Sequence, residues 1–279
     1  HSKPHSNELT YHNLVNAAIY ILSPEIAKYI PKDVSSDFGK DIFPKLILNR
    51  QKLCGYRTHE YIKDIGTIKR LREAESDIEQ GYYGQGSRLT QRKAIFIDRD
   101  GVINKEMDNV VKLDDVSLID QSAPAIKSIN NSQYLAIVIS NQPQAAKGLC
   151  DVAQIDKIIK KVETLLGSEG AYLDGIYTCL HHPDKGFEGE NPAYKIICEC
   201  RKPKIGMIKS AAQDFNIDLS QSYMIGDTTT DALTAKNAGI KFIGVKTGYG
   251  CKDGKHRVDI GQIVSNLKEA TSLILEEST

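Results

Sequence analysis

The sequence predicts an α/β protein whose main body is a doubly wound parallel sheet with helices on both faces. Three observations carry that expectation. Strand-like apolar runs alternate with helix-spaced runs from residue 92 to the end. The first of those runs, Ala94-Ile95-Phe96-Ile97, is β-branched and aromatic enough to be buried on both faces. Acids, amides and a hydroxyl then stand just past the runs, where an open parallel sheet collects its ligands.

The remaining strands are expected at 135–140, 175–179, 222–226 and 241–245. Helical spacing covers 122–130, 151–166, 205–215 and 231–238. After the first strand come Asp98 and Asp100, then Gly101, which permits a sharp turn. At an extended strand end, positions i and i+2 face the same side. One acid can then attack a reacting group while the other moves a proton. A solvated Asx turn produces the same letters, so the assignment depends on the motifs further along the chain.

Three further groups stand at strand ends or helix starts. Ser140-Asn141-Gln142 closes the second run with a hydroxyl and two amides that can donate to phosphate oxygens. Arg201-Lys202-Pro203 brings two cations ahead of a helix, suited to neutralising a phosphoryl group. Gly226-Asp227 follows the fourth strand, with Asp231 four residues on. Hard oxygen ligands near a phosphate suit Mg²⁺, although Asp231 also reads as an ordinary helix N-cap.

Cys179-Leu180-His181 and Cys198-Glu199-Cys200 supply two pairs of soft ligands across a loop containing Gly186, Gly189 and Pro192. Four protein ligands of this kind make a closed, structural Zn²⁺ site. Its place just before Arg201-Lys202-Pro203 would stiffen the backbone that delivers those cations and could take the place of a large cap. His182 is expected outside the ligand set, near the substrate. Cys54, Cys150 and Cys251 fall outside any ligand spacing and are read as structural.

In this order the motifs resemble those of the haloacid-dehalogenase (HAD) phosphatases: D-x-D-G, Ser, Lys, then G-D-x-x-x-D. The resemblance covers most of residues 92 to 260. It implies Asp98 as the nucleophile and Asp100 as general acid, then base. It implies Ser140 holding the phosphoryl group and Lys202 balancing its charge. Mg²⁺ would be held by Asp98, the Asp100 backbone carbonyl and Asp227. The C-x-H-H-P and C-x-C-R-K-P signatures resemble the heptose-bisphosphate phosphatases, with the histidinol-phosphate phosphatases as the alternative. In that subfamily Asn141, Gln142 and Arg201 contact the substrate or shape its pocket. Two departures bear on substrate preference: Pro143-Gln144-Ala145-Ala146-Lys147 replaces the usual Ser-Gly-Ile-Ala-Arg, and Thr228 replaces a common basic residue.

The first segment, residues 1–76, reads as a small α+β unit ahead of a Gly-rich linker at 77–91. A strand is expected at 15–22, a short helix at 24–29, and a capped helix starting near Asp37. Short strands are expected at 53–56 and 61–62, and a helix at 68–78. Lys3-Pro4, Asn16-Ala17-Ala18-Ile19-Tyr20, Asp37-Phe38-Gly39-Lys40-Asp41-Ile42-Phe43-Pro44 and Tyr61-Ile62-Lys63-Asp64-Ile65-Gly66-Thr67 resemble the C-terminal part of sugar-phosphate nucleotidyltransferases. That family's Gly-rich phosphate loop has no counterpart here. Asp64 corresponds to a metal-binding acid of the family but is expected to be structural, and the segment alone is not expected to transfer nucleotides. The start at His1, without Met, suits a piece of a longer protein. So small a unit is expected to pack on the second domain, on the missing nucleotidyltransferase half, or on a second copy.

Composition excludes other classes. Thirty-six basic and 36 acidic residues give a formal net charge of +0, which argues against a nucleic-acid or acidic-membrane partner. No signal peptide or membrane-length apolar run is present. Six sparse cysteines suit a reducing cytoplasm. The expectation is a cytoplasmic phosphatase acting on a small sugar phosphate with Mg²⁺ and Zn²⁺. The rival reading is a non-catalytic, zinc-stiffened module of a nucleotidyltransferase.

Overall fold

A computed structural model describes residues 10–58, 60–81, 87 and 89–277. The Lys3-Pro4 motif and the Gly-rich stretch at 82–86 lie outside the described residues. Six strands form one parallel sheet: β1 (Lys93–Ile97), β2 (Tyr134–Asn141), β3 (Gly175–Cys179), β4 (Tyr223–Gly226), β5 (Lys241–Val245) and β6 (Gln262–Val264). Their order is β3-β2-β1-β4-β5-β6. The chain winds outward from β1 to β3, then returns to the other side of β1 as β4. The carboxyl ends of β1 and β4 therefore border the switch point, where such sheets bind ligands.

Side-chain alternation along β1 divides the core into two layers. Ile95 and Ile97 join one cluster with Ile126 and Ile129 of α3 (Ser122–Asn130), Ile158 and Val162 of α4 (Val152–Ser168), and Leu267 and Ile274 of α7 (Leu267–Glu276). Ala94 and Phe96 face the other way, onto Met207, Ile208 and Phe215 of α5 (Gly206–Phe215) and Ala235 of α6 (Thr229–Ala238). Ile95, Phe96 and Ile97 are fully buried, and each contributes about 1.5–3 kcal/mol of hydrophobic stabilisation. This is the doubly wound α/β fold expected from sequence. Among the described residues no separate cap domain is inserted, and no helix is long and apolar enough to cross a membrane.

Two elements were not expected from the sequence. β6 is a three-residue edge strand with only Val264 buried, too short to show a pattern. α7 begins at Leu267 behind the N-cap Asn266, whose side chain accepts from the Glu269 amide.

The first segment differs more. Residues 15–22 are mostly exposed and form no strand, and neither do 53–56 or 61–62. A strand needs an edge to pair with, and none is present among the described residues of this segment. Its helices do form: a 3-10 turn at Pro24–Tyr29, α1 (Phe43–Leu48) after a single wider π turn capped by Asp37, and α2 (Ile68–Glu79) capped by Thr67. A small aromatic knot of Tyr20, Phe38 and Phe43 supports the α1 region. The segment meets the main body through Tyr11–Asn13, which lie along α4. The His12 ring nitrogens sit 2.5 Å from Glu163 and 3.0 Å from Asp156, and the Asn13 amide donates to Glu163.

Candidate active site

β1 ends at Ile97, and the chain turns immediately through Asp98 to Gly101. Gly101 has φ +79°, and a Cβ there would lie 2.2 Å from Asp227 Oδ2. Gly248, with φ +59°, approaches the same oxygen from the loop after β5. Only glycine permits both approaches. Between them Asp227 accepts from the Tyr249 amide at 2.8 Å through Oδ2, while its buried Oδ1 has no hydrogen-bond partner.

The Lys202 ammonium is buried between two acids, 2.8 Å from Asp98 Oδ1 and 2.7 Å from Asp231 Oδ1. Asp231 also forms a capping box with Thr228, so its other oxygen closes the first turn of α6. Asp231 is therefore not the N-cap expected from sequence: Thr228 takes that position, and Asp231 completes the capping box from the third helical position while the same carboxylate anchors Lys202. Asn141 clasps Lys202 from the backbone side, accepting from its amide at 3.0 Å and donating to its carbonyl at 3.1 Å. Asn141 thus fixes the Lys202 backbone.

Oxygens of Asp98, Asp227 and Asp231 lie within 4.8 Å of one another. Three carboxylates against one ammonium leave an excess of negative charge. Burial, against the opposing pull of Lys202, raises Asp98 to about 7. Burial and the charges of Asp98 and Asp231 raise Asp227 to about 8. For Lys202, burial is outweighed by Asp231 and Asp98, which keep it firmly protonated. Such a site fits a hard divalent cation: it has surplus charge, oxygen donors and a buried carboxylate oxygen left unbonded.

Asp100 faces a different set of partners. Arg99 Nε and Nη2 donate to Oδ1, and Arg99 Nη2 also reaches Oδ2. Asn104 Nδ2 donates to Oδ1 and Gln142 Nε2 to Oδ2, both at 2.8 Å. Burial would push Asp100 upward, but the Arg99 charge and these donors outweigh it and hold the carboxyl below its ordinary range. The single shared direction expected at the strand end is therefore only partly realised. The two acids are held by separate partners, Asp98 by Lys202 and Asp100 by Arg99, Asn104 and Gln142. Gln142 links Asp100 to the second strand, since its Nε2 also donates to buried Ser140 Oγ at 2.7 Å. Buried Gln144 donates to Gln142 Oε1 and orients that amide. Arg99 and Gln144 were not anticipated. Gln144 stands out in the sequence only as a departure from the Ser-Gly-Ile-Ala-Arg pattern, and nothing there marks the residue between two aspartates as buried.

The metal loop gathers as expected. Cys179 Sγ lies 3.6 Å from Cys198 Sγ and 3.2 Å from Cys200 Sγ, and His181 Nδ1 lies 3.3 Å from Cys200 Sγ. Tetrahedral Zn–S bonds of about 2.3 Å would place ligand atoms at similar separations. His182 stays outside this set, stacked edge-on against Phe187. Arg201 donates to the His181 carbonyl at 3.1 Å, tying the metal loop to the pocket.

Fold and site together define a phosphatase of the HAD class. A HAD-hydrolase-like family model matches residues 199–270, and a nucleotidyl transferase model matches residues 2–81. D-glycero-beta-D-manno-heptose-1,7-bisphosphate 7-phosphatase of Haemophilus ducreyi is 37% identical over 172 residues, 61% of this chain and 92% of that protein. The enzyme of the same name from Pasteurella multocida is 36% identical, covering 63% of this chain and 99% of its own length. A crystal structure of D,D-heptose 1,7-bisphosphate phosphatase from B. bronchiseptica, complexed with magnesium and phosphate, is 31% identical. It covers 66% of this chain and 99% of its own, with a TM-score of 0.57. The chain belongs to the D-glycero-D-manno-heptose-1,7-bisphosphate 7-phosphatase family, joined here to a nucleotidyl transferase segment.

Proposed function

We propose that the chain hydrolyses the 7-phosphate of D-glycero-D-manno-heptose 1,7-bisphosphate through an aspartyl-phosphate on Asp98. The observation that carries this reading is the line Asp98–Lys202–Asp231 beside the unbonded oxygen of Asp227. It combines an oriented nucleophile, a buried cation and room for a divalent ion. Asp98 and Asp227, with the Asp100 carbonyl, would hold Mg²⁺, which supplies positive charge to the phosphoryl oxygens. The Cys179, His181, Cys198 and Cys200 cluster would hold Zn²⁺ as a structural ion.

In the first step an Asp98 oxygen forms a bond to phosphorus while the bond from phosphorus to the sugar oxygen breaks. Asp100, which despite burial is held ionised in the free protein by Arg99, takes up a proton as the negative phosphate arrives beside it and gives that proton to the departing alkoxide. In the second step Asp100 takes a proton from water, whose oxygen attacks phosphorus, and the Asp98–phosphorus bond breaks to release phosphate. Ser140 and Lys202 hold the transferring group, and most of the rate enhancement is electrostatic positioning.

A bisphosphate has a second dianion to bind. Lys147 is lowered by burial and by the charges of Arg201, Lys255 and Lys195. Several cations, among them Arg201, the neighbour of Lys202, thus crowd around Lys147, and that crowding supports a substrate with a second phosphate. The division into 1–76, a linker at 77–91 and a phosphatase unit at 92–279 is part of the same proposal. Since α2 continues across residue 76 to Glu79, the joint falls near Gln80. Joining a phosphatase to a nucleotidyl transferase segment suits consecutive steps in activating a sugar.

The test is phosphate release with Mg²⁺ from both anomers of the heptose bisphosphate, with histidinol phosphate alongside and Asp98→Asn as control. Release from the bisphosphate that disappears in Asp98→Asn supports the proposal. Release from histidinol phosphate alone reassigns the substrate, and no release from any of them favours a binding role.

A further inference from the structure

We propose that Arg99 is a positioning residue for catalysis, one that fixes the Asp100 carboxyl for proton transfer. The proposal rests on the reading of Asp100 as the proton donor and acceptor. Arg99 lies between the two acids, yet its side chain is only 3% exposed. Three of its N–H···O contacts go to Asp100: Nε at 3.0 Å and Nη2 at 2.8 and 2.7 Å. A two-point grip from a planar guanidinium fixes the plane of a carboxylate as well as its position.

The direction of that grip matters. With Arg99 on one side, Asp100 Oδ2 is presented to Gln142 Nε2, which also holds Ser140 Oγ. The carboxyl is thereby kept on the side where Ser140 would hold the phosphoryl group. Asp100 keeps an exposed edge, its side chain being 17% exposed, so its oxygens can still reach a substrate or water.

Arg99 Nη1 argues against a purely structural role. It is buried and has no hydrogen-bond partner. An arginine retained for stability would be expected to satisfy all its donors. This one leaves a nitrogen unbonded while aiming the others at a single carboxylate. The Arg99 backbone serves Asp98 in the same way, its amide donating to Asp98 Oδ1 at 2.7 Å.

The experiment compares an alkyl with an aryl phosphate in Arg99→Met and Arg99→Lys. A sugar alkoxide needs a proton to leave, whereas p-nitrophenolate does not. Arg99→Met is expected to lower kcat on the heptose bisphosphate by about 100-fold, the low end of general acid–base contributions, with KM nearly unchanged. With p-nitrophenyl phosphate the same variant should still give a rapid burst of one p-nitrophenol per enzyme, followed by slow turnover, because water activation is impaired. Arg99→Lys, with charge but no fork, should show the same split at smaller size. Equal losses on both substrates without a burst, or no loss on either, would overturn the proposal. If Arg99→Met does not fold, the Arg99→Lys comparison decides alone. A wild-type enzyme inert towards the heptose bisphosphate would sink the substrate assignment instead. Glycerol 3-phosphate then serves as the alkyl ester, and the Arg99 comparison still supports or overturns the positioning role.

Discussion

The Lys202 ammonium donates to Asp231 Oδ1 at 2.7 Å, joining the residue that follows the metal loop to the first turn of α6. The same ammonium lies 2.8 Å from Asp98. The position of Asp98, the proposed nucleophile, thus depends on a carboxylate that also completes a helix capping box. Asp231→Asn should preserve much of the cap but leave Lys202 half-neutralised in a buried site. Losing one partner of a buried pair of this kind costs about 3 kcal/mol. Urea unfolding should show that loss, with a fall in kcat, and an unchanged unfolding midpoint would contradict the anchoring role.

A second prediction concerns pH and magnesium. Asp98 is raised to about 7 and Asp227 to about 8 in the metal-free protein, mainly by burial. A carboxyl whose folded value exceeds its unfolded value near 4 binds protons more tightly when folded. Its stabilising contribution is complete below about pH 4 and is lost as pH rises towards 7 to 8. Magnesium-free protein should therefore lose stability over that window. Mg²⁺ competes with those protons, so its stabilising effect should grow across the same range. Calorimetry of protein dialysed free of magnesium, with and without added Mg²⁺ at pH 5 and pH 8, checks this. An equal magnesium effect at both pH values would contradict it.

The metal loop gives a third. Cys198→Ser removes one of four clustered ligands, and Arg201 is tied to this loop through the His181 carbonyl. The variant should lose bound zinc by elemental analysis, become sensitive to protease between residues 180 and 200, and show a higher KM. Full zinc content with unchanged proteolysis would exclude the structural-ion role.

A fourth concerns the first segment. His12 sits between Glu163 and Asp156, and Thr164 Oγ1 accepts from the Tyr11 amide. His12→Ala should raise hydrogen exchange at residues 11–13 and along the facing turn of α4. Phosphatase activity should be essentially unchanged, since His12 and its partners Glu163 and Asp156 form no hydrogen bond or ion pair with Asp98, Asp100, Asp227 or Lys202. A large loss of activity would mean that the segment acts on the pocket.

Much of this architecture was legible because parallel strands buried on both faces announce themselves as apolar runs, as β1 and β2 do. Three of the four motif positions could be placed because they come at the ends of those runs, and Lys202 because it stands just ahead of a helix. The strand expected at 15–22 failed for the converse reason: strand-forming letters need a pairing edge, and the described segment offers none. Arg99, Gln144 and the second role of Asp231 were hidden because side-chain direction after a strand ends is decided by tertiary partners. Arg99 turns inward because Asp100 and a closed pocket receive it, and no spacing rule reports that. The clustering of Cys179, His181, Cys198 and Cys200 was legible from sequence because cysteines and histidines paired two residues apart, twice over, are the pattern a tetrahedral ion requires.

The most direct test of the central claim is to follow the reaction of heptose 1,7-bisphosphate by ³¹P NMR with Mg²⁺ present. The resonance of the primary 7-phosphate should disappear, inorganic phosphate should grow equally, and the anomeric phosphate should persist as heptose 1-phosphate. Loss of the anomeric resonance, or persistence of both, would contradict the claim.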